Sequence, residues 1–90
     1  MERLVIIPTF DEKENIADIL AHVFRLKPEF HVLVVDDGSP DGTGDIVDGL
    51  RATYAERLHL IRRAGKQGLG TAYIAGFRWA LQRGYRYIFE

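Results

Sequence analysis

Ninety residues make one small domain at most, and a chain of that size buries only about 60–65% of the surface its unfolded form exposes. A composition of 47% hydrophobic and 28% charged residues argues against disorder, and a net charge of −1 leaves no general attraction to nucleic acid or anionic lipid. The lack of cysteine excludes a disulfide framework, a thiolate metal site and a thiol nucleophile, and it suits a reducing cytosol.

In chain order, Leu4-Val5-Ile6-Ile7 is a continuous apolar run closed by Pro8, the pattern of a strand covered on both faces. Arg3 precedes only this short run, which is neither a secretory leader nor close to the ~20 residues of a membrane span. From Asn15 the apolar positions Ile16, Ile19, Leu20, Val23 and Phe24 follow a helical period, with acids from Asp11 to Glu14 at its start. This predicts a first helix to about Leu26, with Pro28 beyond it. Phe30 to Val35 reads as a second strand, running into the acidic Gly/Pro turn Asp36-Asp37-Gly38-Ser39-Pro40-Asp41-Gly42-Thr43.

Thr43 or Asp41 can cap a second helix whose buried stripe is Ile46, Val47, Leu50 and Tyr54. Leu58 to Ile61 is a short third strand. The basic, glycine-rich loop Arg62 to Gly70 follows, then a third helix from about Thr71 to Gln82, stopped by Gly84, and a fourth strand over Tyr85 to Phe89. Alternating strands and helices with short connections predict an α/β fold, a parallel sheet with helices on its faces, and no domain boundary within residues 1–90.

Ligands of such sheets bind beyond the carboxyl ends of the strands, where loops converge and helix N-termini present unpaired N–H groups. Three unusual segments fall there: Pro8-Thr9-Phe10-Asp11-Glu12, Asp36-Asp37-Gly38-Ser39 and the Arg/Lys/Gly loop. Adjacent carboxylates at a strand end call for a donor or a cation, and strand alternation lets one face the cleft while the other props the loop. The same pair also reads as a cap for its own turn. Gly65-Lys66-Gln67-Gly68-Leu69-Gly70 offers backbone N–H groups and a lysine to an anionic diphosphate, although a solvated loop would carry the same residues.

Neither a P-loop nor a dinucleotide fingerprint is present, because Leu60, Gln67 and Val47 stand where those motifs need other residues. Asp37, Ser39, Asp41, Gly42, Asp45 and Asp48 match calcium-loop spacing, but a strand precedes them and Asp48 replaces the bidentate Glu. His22, His31 and His59 share no metal-ligand spacing, and Tyr73, Phe77 and Trp79 read as packing residues. The ring of Phe10 sits where it could stack on a nucleobase or anchor the loop.

Taken together, Val5 to Ile16, Val34 to Thr43 and Gly68 to Phe77 resemble family 2 glycosyltransferases, and the run Gly68-Leu69-Gly70-Thr71-Ala72-Tyr73 resembles their dolichol-phosphate mannosyltransferase branch. The resemblance implies the N-terminal, Rossmann-like half of a GT-A type nucleotide-diphospho-sugar transferase fold. It also implies a nucleotide-sugar donor such as GDP-mannose, a polyprenyl or dolichyl phosphate acceptor, Mg²⁺ or Mn²⁺, and inverting transfer at the cytoplasmic face of a membrane.

By the same resemblance, Pro8, Thr9, Phe10 and Glu12 line the nucleoside pocket. Asp37 bonds the base, Asp36 supports the turn, and Lys66, Gly68 and Gly70 approach the diphosphate. Phe10 stands for a more usual Tyr and Asp11 for a more usual Asn. The family's Asp-x-Asp metal motif is expected just after Glu90, so these residues alone are expected to hold no metal and to transfer no sugar. The alternatives are a catalytically silent nucleotide-binding or assembly module and a calcium-binding loop, and the outer sheet edge is expected to favour self-association.

Overall fold

The structure, a computed structural model, describes residues 3–65 and 67–90. Strands β1 (Arg3–Thr9), β2 (His31–Asp36), β3 (Leu58–Arg62) and β4 (Tyr87–Phe89) alternate with helices α1 (Ile16–Phe24), α2 (Thr43–Tyr54) and α3 (Leu69–Gln82), and a 3-10 turn, Ala55–Arg57, precedes β3. The four strands form one parallel sheet in the order β3-β2-β1-β4. The chain therefore steps outward twice from β1 and then returns through α3 to its other side. Strand order reverses between β1 and β4, the kind of position where open α/β sheets form a crevice.

Strand alternation divides the core into two layers. Val32, Val34 and Leu58 face one way and pack with Ile16, Leu20 and Phe24 of α1 and Val47 of α2. Leu4, Ile6, Leu33 and Val35 face the other way, against Ala72 and Ala80 of α3, with Phe77, Trp79 and Tyr85 packed around them. All six residues of β2 are buried, as its continuous apolar run requires. On α3 the close approach depends on Gly76: a Cβ there would stand 2.8 Å from Cγ2 of Ile6.

Several element limits differ from the sequence reading for local reasons. Pro8 lies inside β1 rather than closing it. The Thr9 carbonyl accepts from the Asp37 N–H on the β2 side, so by strand alternation the Pro8 nitrogen faces the other edge. There β4 pairs only with Arg3 to Val5, and no ladder bond is lost. The first helix ends at Phe24 because Arg25 and Leu26 donate to the carbonyls of His22 and Val23, a tightened last turn.

The fourth strand begins at Tyr87, not Tyr85. The N–H of Tyr85 donates to Ala80 and that of Gly84 to Leu81, both at 3.2 Å, which is a Schellman closure of α3. It turns the Tyr85 ring back under the sheet, where its hydroxyl lies 3.0 Å from His31 Nδ1.

Candidate functional site

The carboxyl ends of β1 and β2 are stitched together by their own loops. Three successive amides of the first loop donate to side chains of the second: Asp11 N–H to Ser39 Oγ at 2.9 Å, Glu12 N–H to Thr43 Oγ1 at 3.0 Å, and Lys13 N–H to Asp41 Oδ2 at 3.1 Å. The N-cap of α2 is Gly42, without a side-chain cap bond, rather than Thr43 or Asp41; Asp41, one residue earlier, accepts from the Thr43 N–H through Oδ1 at 2.9 Å and so ties the first amide of α2 to the first loop. Asp11 has φ +55°, a left-handed conformation in which Asp and Asn are the best tolerated residues with a side chain. Its backbone, not its exposed carboxylate, accounts for the residue type.

The two adjacent acids point apart and have different partners. Asp36, 1% exposed, accepts from the Thr9 hydroxyl at 2.9 Å, from the Ser39 hydroxyl at 2.6 Å and from the Ser39 N–H at 3.1 Å. It lies beneath the turn. Asp37 reaches the other way: Oδ1 accepts from Arg63 Nε at 2.7 Å and Oδ2 from the Gln67 N–H at 3.2 Å. The Arg63 hydrogen bond holds the Asp37 carboxyl below the ordinary carboxylate range, and this outweighs the opposing effect of burial. Gly38 between the loops has φ +69°, and a Cβ on it would lie 2.7 Å from the Gly65 nitrogen, so only glycine fits this contact.

Above these loops is a cavity of about 120 Å³. It is lined by Pro8, Thr9 and Phe10 at the end of β1, by Asp37 after β2, and by Gly68, Leu69 and Ala72 at the start of α3. Such a volume is below the ~300–1,000 Å³ of pockets that enclose a drug-sized ligand. Leu69, Gly70 and Thr71 occupy the first turn of α3, where N–H groups lack helical acceptors and favour an anion.

The cavity thus brings together Pro8, Thr9, Phe10, Asp37 and Gly68. Glu12 is outside it, its carboxylate 3.5 Å from the Asn15 side-chain amide, and Gly70 is one residue along the helix. The expectation for Lys66 lies outside the described residues. Leu69, Ala72 and Arg63 were not singled out as site residues. Ala72 and Leu69 carry no polar signal, and Arg63 is one of two adjacent arginines whose different roles only the fold separates.

The calcium reading does not survive the geometry. The segment entering the turn is a strand, Asp37 is paired with Arg63 and Asp48 with Arg51, and among the described residues no cluster of three or more His, Asp or Glu could hold a metal.

The model of glycosyl transferase family 2 matches residues 4–89. A polyprenol monophosphomannose synthase of Mycolicibacterium smegmatis is 52% identical over 87 residues, which is 97% of this chain and 33% of that protein. An undecaprenyl-phosphate mannosyltransferase of Micrococcus luteus is 51% identical over 90 residues, all of this chain and 37% of that protein. The chain therefore spans about a third of the length of these curated relatives. Among solved structures, the mannosyltransferase PcManGT from Pyrobaculum calidifontis, in complex with GDP-Man and Mn2+, superposes with a TM-score of 0.81 at 28% identity. The match covers 88% of this chain and 24% of that one.

Proposed function

The chain belongs to glycosyl transferase family 2, and from that premise we propose that residues 1–90 form the donor-nucleotide-binding part of a polyprenyl-phosphate mannosyltransferase that uses GDP-mannose. The observation that carries the reading is the cleft itself. It pairs an aromatic ring, Phe10, with a buried carboxylate, Asp37, and the open first turn of α3, all at the carboxyl ends of the strands.

In this reading Pro8, Thr9 and Phe10 contact the nucleoside, with the Phe10 ring against the base. Asp37 keeps its charge at neutral pH and offers acceptor capacity to base N–H groups. The first turn of α3, with Gly68 and Gly70, faces the diphosphate, and Lys66 is assigned to the same diphosphate on its sequence position alone. Asp36 acts from below by fixing the turn, and Glu12 by fixing the loop. These residues bind and orient the donor.

The described residues do not fit a divalent cation, since the carboxylates of Asp36 and Asp37 are committed to hydroxyl, amide and guanidinium partners. Mg²⁺ or Mn²⁺ enters this proposal only through other parts of the enzyme. The acceptor, a polyprenyl phosphate, places the enzyme at the cytoplasmic face of a membrane. Among the described residues no helix is long and apolar enough to cross one.

Calorimetric titration of the chain with GDP-mannose, UDP-glucose and the free nucleotides tests the reading. Preferential binding of the guanosine compounds is the expected result. Equal binding of uridine and guanosine compounds, or none of either, would count against it.

A further inference from the structure

We propose that Arg63 is the positioning residue of this cleft: it holds the first turn of α3 against the end of β2, and the nucleoside diphosphate of the proposed function binds only that held arrangement. Arg63 is absent from the cavity wall, yet each residue it grips is part of that wall or adjoins it. Nε donates to Asp37 Oδ1 at 2.7 Å, one terminal nitrogen to Thr71 Oγ1 at 3.0 Å and the other to the Gly68 carbonyl at 3.2 Å. Gly68 and Asp37 line the cavity, and Thr71 lies between the lining residues Leu69 and Ala72.

Three different nitrogens reach three acceptors on two segments, Asp37 after β2 and Gly68 and Thr71 at the start of α3, which uses the rigid fork of a guanidinium and not merely its charge. The pair is also shielded, with side chains 10% exposed for Arg63 and 9% for Asp37. Thr71 adds to the lock by donating its hydroxyl toward the carbonyls of Gln67 and Gly68, both at 2.9 Å.

The adjacent Arg62 provides the contrast. It pairs with Asp45 at the same 2.7 Å, but its side chain is 49% exposed and Asp45 is 78% exposed. It touches neither the cavity wall nor α3 in any bond described. Two neighbouring arginines thus separate into one exposed pair and one shielded clamp. A lysine at 63 carries the charge but cannot span the carboxylate, hydroxyl and carbonyl together.

The test compares the unaltered chain with Arg63→Lys, Thr71→Val and Arg62→Lys, measuring amide hydrogen exchange without ligand and GDP affinity by calorimetry. Arg63→Lys should raise exchange at Gln67, Gly68 and Ala72 about tenfold or more, the scale of one lost charge-assisted hydrogen bond, with β1 and β2 unchanged. GDP affinity should fall by a similar factor. Thr71→Val should move both readouts the same way by less, and it keeps the test intact if Arg63→Lys does not fold. Arg62→Lys should move neither.

Unchanged exchange at α3 in both site variants would overturn the clamp. Faster exchange there with unchanged GDP affinity would reduce Arg63 to a structural residue and overturn the proposal as well. If the unaltered chain binds no nucleotide, the functional reading fails first and the nucleotide half of this proposal falls with it, while the exchange data still decide whether Arg63 holds α3.

Discussion

The hydroxyl of Thr9 donates to Asp36 Oδ1 across the β1–β2 pair at 2.9 Å, and the same oxygen accepts from Ser39 at 2.6 Å. One fully buried carboxylate therefore joins the ends of two strands to the turn that follows the second. Asp36→Asn replaces an acceptor oxygen with an N–H₂ that must face a hydroxyl or an amide donor. It should lower stability by about 1–3 kcal/mol, the usual penalty for a mismatched buried polar group. Urea denaturation would measure this, and a change below a few tenths of that range would show that the turn does not depend on the carboxylate.

Phe10 lines the cavity together with residues at the start of α3. If its ring stacks on the base, Phe10→Ala should weaken GDP-mannose binding by about 1–3 kcal/mol, roughly five- to 150-fold. Phe10→Tyr should leave affinity nearly unchanged because the stacking face is kept. Equal losses in both variants would move the ring from base recognition to loop anchoring.

Gly76 and Ile6 set the distance between α3 and the sheet. Gly76→Ala would bring its Cβ to 2.8 Å from Cγ2 and 3.0 Å from Cδ1 of Ile6, whose branched side chain has little freedom to withdraw. A loss of about 1–3 kcal/mol from overpacking is expected, larger than the gain in helix propensity. Ile6→Ala should then cost less in the Gly76→Ala background than in the original chain, and strict additivity in that double-mutant cycle would remove the contact as the cause.

Stability should fall as pH drops below neutrality. Burial lowers the pKa of His31, with the nearby His59 and Arg57 acting in the same direction, and burial likewise lowers that of His59. Below about pH 6.5 the unfolded chain binds protons that these folded imidazoles resist, so stability declines from there through the depressed folded values. Asp37 has the same sign at lower pH: its folded pKa is also depressed, chiefly by Arg63, and its contribution is lost only as pH falls below about 3.8. Melting temperatures between pH 8 and 5 should show the first decline, and His31→Asn should flatten it. An unchanged slope in that variant would remove His31 from the account.

The strand and helix pattern was legible because each buried run has the period of its element, and Val32 to Val35 of β2 are all apolar because both faces are covered. The end of α1, the delayed start of β4 and the continuation of β1 through Pro8 depend on hydrogen bonds that no local pattern announces. The acidic turn was legible as a site but not as a joint. Ser39, Asp41 and Thr43 read as turn and cap residues because the amides they receive, from Asp11 to Lys13, belong to another loop. Arg63 was hidden for the same reason, since its partners are 26, 8 and 5 residues away in sequence.

The most direct test of the central claim is to titrate the isotopically labelled chain with GDP-mannose and follow every backbone amide by nuclear magnetic resonance. The account predicts saturable shifts centred on Thr9, Phe10, Asp37 and Gly68 to Ala72, with little change near His31 and His59 at the opposite end of the strands. Shifts centred elsewhere, or none at millimolar ligand, would contradict the assignment of this cleft to the donor nucleotide.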